Sequence, residues 1–195
     1  MIRKERGERV DDDYLKYVSE LHPSGLRTLM EQHGEDVWNY AYFLTKKRDL
    51  ADDIAQDVFV KAFRSVGSFR GECSVKTWLL KITRNTAFSY RRKAFFRRVI
   101  LADYVRGESP SAESEFLERH VADEAWKIVL ELPAHYREVL VLQSMHGMSV
   151  TEIAAALGIS EGTVKSRIHR ARRKAAQLAK GGFRYEENGN RDGSV

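Results

Sequence analysis

Three carboxylates stand close together in DDIAQDVFVKAF (52–63): Asp52, Asp53 and Asp57. On a helix, Asp53 and Asp57 fall on one face at i and i+4, with Lys61 at i+8 and Gln56 alongside. Paired carboxylates at that spacing suit general acid/base work or Mg²⁺ ligation. Here they have no histidine near them in sequence, no third ligand or base is evident beside the Asp53–Asp57 pair, and a lysine shares their face at i+8. A nuclease using Asp52, Asp53 and Asp57 is therefore the least supported reading of this stripe. Solvated helix surface and a protein-docking face remain.

The cations form a sharper pattern. Arg84, Arg91, Arg92, Lys93, Arg97 and Arg98 lie in one stretch without an acid, and Lys165, Arg167, Arg170, Arg172, Arg173, Lys174 and Lys180 in another. Between them, from Asp103 to Glu124, the seven acids Asp103, Glu108, Glu113, Glu115, Glu118, Asp123 and Glu124 are opposed only by Arg106 and Arg119. The formal net charge, 33 bases against 28 acids, is only +5. A single basic run is ordinarily a solvated helix face, whereas two at the ends of apolar-periodic helices point to nucleic acid. In WLLKITRNTAFSYRRKAFFRR (78–98) the bases interleave with Trp78, Phe88, Tyr90, Phe95 and Phe96. Cations for phosphates and π-faces for unstacked bases are the requirements of single-strand binding. The preceding loop SVGSFRGECSVKT (65–77), with Gly67 and Gly71, has the composition to cradle an extruded base.

The elements that position these groups read as helices. Strand-like alternation is absent and the prolines are only Pro23, Pro110 and Pro133. Val37, Tyr40, Ala41 and Leu44 keep helical spacing, as do Leu50, Ile54, Val58 and Ala62, and Val75, Leu79 and Ile82, with Ser74 as N-cap. Gly107, Ser109, Pro110, Ser111 and Ser114 mark a linker. The second half breaks at Pro133 and resumes through Tyr136, Val139 and Leu140. The fold class is all-α: two small helical domains joined by a flexible linker.

SVTEIAAALGISEGTVKSRIHRARRKA (149–175) is the clearest local signal. Ser149 and Glu152 fit a capping box. Val150, Ile153, Ala154 and Leu157 form one apolar face, and Gly158 supplies the left-handed stop. Ala154 and Ala155 are small enough for close helix approach. Ser160 caps a second helix with Val164, Ile168, Ala171, Ala175 and Leu178 on one side. Lys165, Ser166, His169, Arg170, Arg172 and Arg173 lie on the others. This is a helix-turn-helix whose basic second helix suits the major groove. Lys165, Ser166 and Arg170 carry donors for guanine edges or phosphates.

Together these segments resemble the extracytoplasmic-function (ECF) sigma factors of bacterial RNA polymerase. DDIAQDVFVKAF, SFRGECSVKTWLLKITRN with its basic run, LPAHYREVLVLQSMHGMSVTEIAAALGIS and EGTVKSRIHRARRK carry the resemblance, across roughly residues 24–180. It implies sigma region 2 (24–99) and sigma region 4 (123–180) joined by the acidic linker (100–122); an N-terminal extension (1–23) lies outside the shared pattern, and the tail (181–195), which lacks periodicity, reads as disordered. Asp53, Gln56 and Asp57 would bind core polymerase at the β′ clamp helices, and the β flap would be a further contact. Phe69, Trp78, Arg84, Asn85, Ser89, Arg91 and Arg92 would melt and hold the −10 element, the 65–77 loop capturing a flipped base. Ser160, Thr163, Lys165, Ser166, Arg167, His169, Arg170 and Arg173 would read the −35 duplex. The acidic linker would thread the RNA-exit path. A cognate anti-sigma factor is implied. Asp57 stands where family members commonly have Glu, and Ser89 where they often have Asp.

The implied function is an alternative sigma factor, not an enzyme, without cofactor or metal. The lone cysteine, Cys73, excludes an internal disulfide and a multi-cysteine zinc site, and the six histidines have no ligand spacing. No run approaches the length of a membrane span, and MIRKERGERVDDD lacks a secretory h-region, so the expected location is cytoplasmic. The alternative class is a stand-alone helix-turn-helix regulator. It would leave the basic–aromatic first half without a role.

Overall fold

The computed structural model describes Leu15, residues 21–100 and residues 124–189, with side chains placed at Leu15, 21–92 and 125–180. The extension, apart from Leu15 and 21–23, residues 101–122 of the linker and residue 123 lie outside the described residues. The described residues contain helices and no strand. The chain divides into two compact units between Gly107 and Glu108.

In the first unit, α1 (Pro23–Thr45), α2 (Arg48–Ser65) and α3 (Val75–Ile100) pack pairwise, with a short 3₁₀ turn at Val66–Ser68. Pro23 opens α1 at a position where a missing N–H costs nothing. Lys46, in the left-handed region at φ 59°, ends it by donating its N–H to the Tyr42 carbonyl. The core comes from the apolar lines of the three helices: Leu29, Val37, Tyr40 and Phe43; Ala51, Ile54, Val58 and Ala62; Val75, Leu79, Leu80 and Ala87. Thr83 and Thr86 are buried among them. Thr83 satisfies its hydroxyl on the Leu79 carbonyl at 2.8 Å, and Thr86 accepts from Lys61 Nζ at 2.8 Å. Leu15 and Leu21 are also buried. The N-terminal segment therefore contributes apolar side chains to the fold, which its charged composition did not suggest.

The second unit comprises α4 (Glu124–Glu131), α5 (Ala134–Leu140), a π-helical turn (Val141–Met145), α6 (Val150–Leu157) and α7 (Glu161–Gly189). Pro133 sits at the α4–α5 corner. Buried Arg137 braces that corner, donating from Nη1 to the carbonyls of Leu130 and Leu132 at 2.9 and 3.0 Å. A buried cation is tolerated where its donors are met. The π turn is closed by the His146 N–H on the Val141 carbonyl at 3.2 Å. Two local expectations change. Ala155 is exposed, and Ala154 with Ala156 faces inward. Helix α7 continues to Gly189, through the first residues of the expected disordered tail. An established helix adds residues at little cost once nucleated. Leu178 gains no burial from the extension and is 37% exposed.

Candidate nucleic-acid interfaces and docking face

Helix α7 is aimed by its junction with α6. Ser149 and Glu152 form the reciprocal capping box: the Glu152 N–H donates to Ser149 Oγ at 3.2 Å, and the Ser149 N–H donates to Glu152 Oε2 at 2.8 Å. Gly158, at φ 66°, reverses the chain, and its N–H and that of Ile159 both reach the Ala154 carbonyl. Only glycine adopts that conformation without steric cost. Ser160 then accepts from the Thr163 N–H at 3.2 Å. Thr151 Oγ1 donates to Glu161 Oε1 at 2.7 Å, tying α6 to the first turn of α7. Val164, Ile168 and Ala171 are buried.

The opposite face of α7 is exposed and cationic. Lys165, Ser166, His169, Arg170 and Arg173 lie on it, while Arg167 is half-buried at its edge. Three of the candidate hydroxyls are already engaged. Ser160 and Thr163 bond each other at 2.9 Å, and Ser166 donates to the Thr163 carbonyl at 2.9 Å. Arg172 donates to Gln143 Oε1 at 3.0 Å and so braces α7 against the π turn. Lys165 lies 3.9 Å from Glu161, a loose exposed pair that a phosphate would displace readily.

In the first unit the loop before α3 and the first turns of α3 enclose a concavity of about 400 Å³. Phe69, Arg70, Cys73, Trp78, Lys81 and Asn85 are among its lining residues. Ser74 caps α3 by accepting from the Thr77 N–H at 3.1 Å, which fixes the loop at the mouth. Phe69 is 5% exposed, its ring 5.2 Å from that of Trp78 and tilted by 51°. It is thus a wall of the concavity and not a free stacking surface. Ile82, read as a core position, is half-buried at the same rim. Asn85, Arg91 and Arg92 are exposed, and Arg84 is half-buried. Ser89 donates to the Asn85 carbonyl at 3.0 Å and so spends its hydrogen on its own helix.

The stripe on α2 proves heterogeneous. Asp53 and Gln56 are exposed. Asp57 is half-buried, and its Oδ2 accepts from Tyr90 Oη of α3 at 2.9 Å. Asp52 turns the other way and accepts from Trp38 Nε1 of α1 at 2.6 Å. The carboxylates that could have shared a metal therefore diverge. Among the described residues no three His, Cys, Asp or Glu are grouped to hold a metal ion. Burial and the carboxylate beside it push the Tyr90 hydroxyl up to about 12. Two apolar groups join the exposed stripe, Val60 at 45% and Phe63 at 37% exposure. Sequence reasoning missed them. The available signal was apolar residues at i+4 and i+7 from Gln56, on the polar side of the helix.

A helical unit with a basic–aromatic cleft, followed by a helix-turn-helix with a basic second helix, defines a two-part DNA-binding transcription factor. The family model described as "Sigma-70 region 2" matches residues 29–95, and "Sigma-70, region 4" matches residues 122–174. The RNA polymerase sigma factor YlaC of Bacillus subtilis is 33% identical over 155 residues, 77% of this chain and 90% of that protein. The ECF RNA polymerase sigma factor SigM of Mycobacterium tuberculosis is 32% identical over 178 residues, 89% of this chain and 86% of that one. Among solved structures, RpoE of Bartonella quintana in complex with the anti-sigma factor NepR gives a TM-score of 0.64 at 26% identity, over 79% of this chain and 96% of that chain. CnrH in complex with the cytosolic domain of CnrY gives 0.62 at 26% identity, over 88% and 97%. The chain belongs to the extracytoplasmic-function sigma factors of the sigma-70 family. Its function is promoter-specific transcription initiation with core RNA polymerase, as an alternative sigma factor. No helix among the described residues is long and apolar enough to cross a membrane.

Proposed function

We propose that the two units divide promoter recognition by the state of the DNA. The first unit melts and holds the −10 element as a single strand, with Arg84, Asn85, Arg91 and Arg92 along the strand. The concavity walled by Phe69 and Trp78 receives one flipped base. The second unit reads the −35 duplex through Lys165, Ser166, Arg167, His169, Arg170 and Arg173, while Ser160 and Thr163 position the helix start. Asp53 and Gln56 dock on the β′ clamp helices, and the second unit also meets the β flap. Asp57 supports the docking face from below through Tyr90. The protein works in the cytoplasm and is not an enzyme. Asp52 and Asp57 bond to different helices, which supports the latter reading. An anti-sigma factor covers these surfaces when the protein is silent, as partners of that kind accompany RpoE of Bartonella quintana.

The observation that carries this reading is the roughly 400 Å³ concavity beside Asn85, ringed by Arg70 and Lys81 and walled by aromatics. It is large enough for a nucleobase, and its rim sets Arg70 and Lys81 against the single carboxylate of Glu72, an excess of positive charge that suits capture of an extruded base. Run-off transcription with purified core polymerase and a random-promoter pool tests the whole. The expected result is initiation that depends on this chain and recovers a −10 and a −35 element. Duplex binding without any stimulation of core polymerase would refute it.

A further inference from the structure

Phe88 does not belong to the concavity and is not core. It lies one turn beyond Asn85 on α3 and is 41% exposed. Two guanidinium groups hold it. Arg84 Cζ lies 4.7 Å from the ring centroid and Arg91 Cζ 5.8 Å. Phe88, Ser89, Arg91 and Arg92 line a second open groove. Isolated exposed aromatics are commonplace. This one is set among cations in a recess, on a stretch from Arg84 to Arg92 that contains no acid. The step from Asn85 to Phe88 is about 4.5 Å along a helix axis, so successive nucleotides of one strand can reach both.

We propose that Phe88, with Arg84 and Arg91, forms a second subsite for an unpaired nucleobase of single-stranded DNA, adjacent to the concavity at Asn85. It rests on the reading of α3 as the strand-holding helix. The chemistry favours a base over an acidic peptide. Both would satisfy the arginines, but the negative π-face repels a carboxylate and accepts a flat heterocycle. The guanidinium groups of Arg84 and Arg91 lie beside the ring, where the phosphates on either side of a stacked base would meet positive charge. The subsite selects for an unstacked base without reading its edges. It therefore adds affinity for the open strand more than sequence preference.

The test uses the full chain bound to core polymerase and a labelled single-stranded oligonucleotide of about 12 nucleotides, carrying the non-template sequence recovered from the promoter pool. Phe88→Ala is expected to weaken oligonucleotide binding by about 5- to 100-fold. Phe88→Tyr keeps near-native affinity, and Phe88→Leu behaves as alanine does. Core affinity and −35 duplex binding stay unchanged. An alanine variant within about twofold of wild type, measured beside a weakened Asn85→Ala, overturns the subsite while leaving the strand-holding reading intact. If Asn85→Ala and Arg92→Ala are also silent, that reading falls and takes the subsite with it. A leucine variant equal to wild type shows apolar contact in place of stacking, and loss of core affinity shows a protein-docking role. Either result overturns the proposal.

Discussion

Single residues carry more than one duty on α2 and α7, and substitutions separate the duties. Asp53 and Gln56 are exposed and bond to no neighbouring helix among the contacts described above, so replacing both with alanine removes surface chemistry and little else. Core-polymerase affinity should fall while −35 duplex binding and thermal unfolding hold, as titration of labelled core enzyme would show. Val60→Ser with Phe63→Ser should lower the same affinity by about 1–3 kcal/mol, because half-exposed apolar groups stabilise only when a partner covers them. Unchanged core binding would return both residues to ordinary surface. On α7, Arg170→Ala should cost about 1–3 kcal/mol of −35 binding and relax discrimination at one base pair; uniform weakening across all −35 variants would make Arg170 a phosphate contact. The sequence showed these positions unevenly. Ser149, Glu152 and Gly158 were legible because caps and turns are decided by neighbours within four residues. Whether Phe69 or Phe88 points inward was not, because both sit in basic–aromatic surroundings and the answer depends on a second helix. Arg137 was hidden for the same reason: its carbonyl partners lie across a corner that Pro133 makes and composition does not describe.

At the scale of elements, α2 and α3 are joined by the Tyr90–Asp57 and Lys61–Thr86 hydrogen bonds, so the docking helix and the strand-holding helix share a brace. The brace has a pH signature. Burial first, then the hydrogen bond to Asp57 and the charges of Asp57 and Asp53, raise the Tyr90 hydroxyl from 10.0 to about 12. A hydroxyl whose folded pKa lies above its unfolded one stabilises fully below the unfolded value and loses that contribution as pH rises. Stability should therefore be insensitive to this group at neutral pH and fall between pH 10.0 and about 12. Tyr90→Phe should abolish that alkaline component and cost about 1 kcal/mol near pH 7. Denaturant melts of both proteins across the alkaline range decide it. An identical alkaline fall in the phenylalanine variant would assign the loss to other groups. Helix identity itself was legible, because apolar spacing of three and four is a strong signal over three or more turns. The π turn at Val141–Met145 was not, since one extra residue in a turn leaves that spacing almost intact. Nor was the reach of α7 to Gly189, since residues 181–195 carry no apolar periodicity to signal a helix.

For the whole molecule, the consequence of two units is that neither DNA contact has to be strong. Each unit has its own buried core, Ile54, Val58 and Leu79 in the first and Leu142, Ile153 and Val164 in the second. Cutting the chain between Gly107 and Glu108 should therefore give two fragments that each unfold cooperatively. Joined, the second contact forms at an effective concentration near millimolar, and the linked pair gains about 10²–10⁴ over either contact alone. An equimolar mixture of the fragments should lose most of that gain in promoter binding with core polymerase, while the C-terminal fragment still binds −35 duplex. Salt dependence separates the contributions, because a neutralised duplex phosphate contributes a log–log slope of about −0.9 and a single-strand one about −0.7. Lys165→Ala and Arg173→Ala in the intact chain should each flatten the slope by about 0.9 if they meet duplex phosphates. Arg92→Ala should flatten it by the smaller single-strand increment. The small net charge of +5 carries no trace of this arrangement, since 28 acids, those between the basic stretches and on α2 among them, offset the 33 bases. A fragment mixture that initiates as well as the intact chain would mean that core polymerase alone holds the units in register, and covalent linkage would then contribute nothing to promoter affinity.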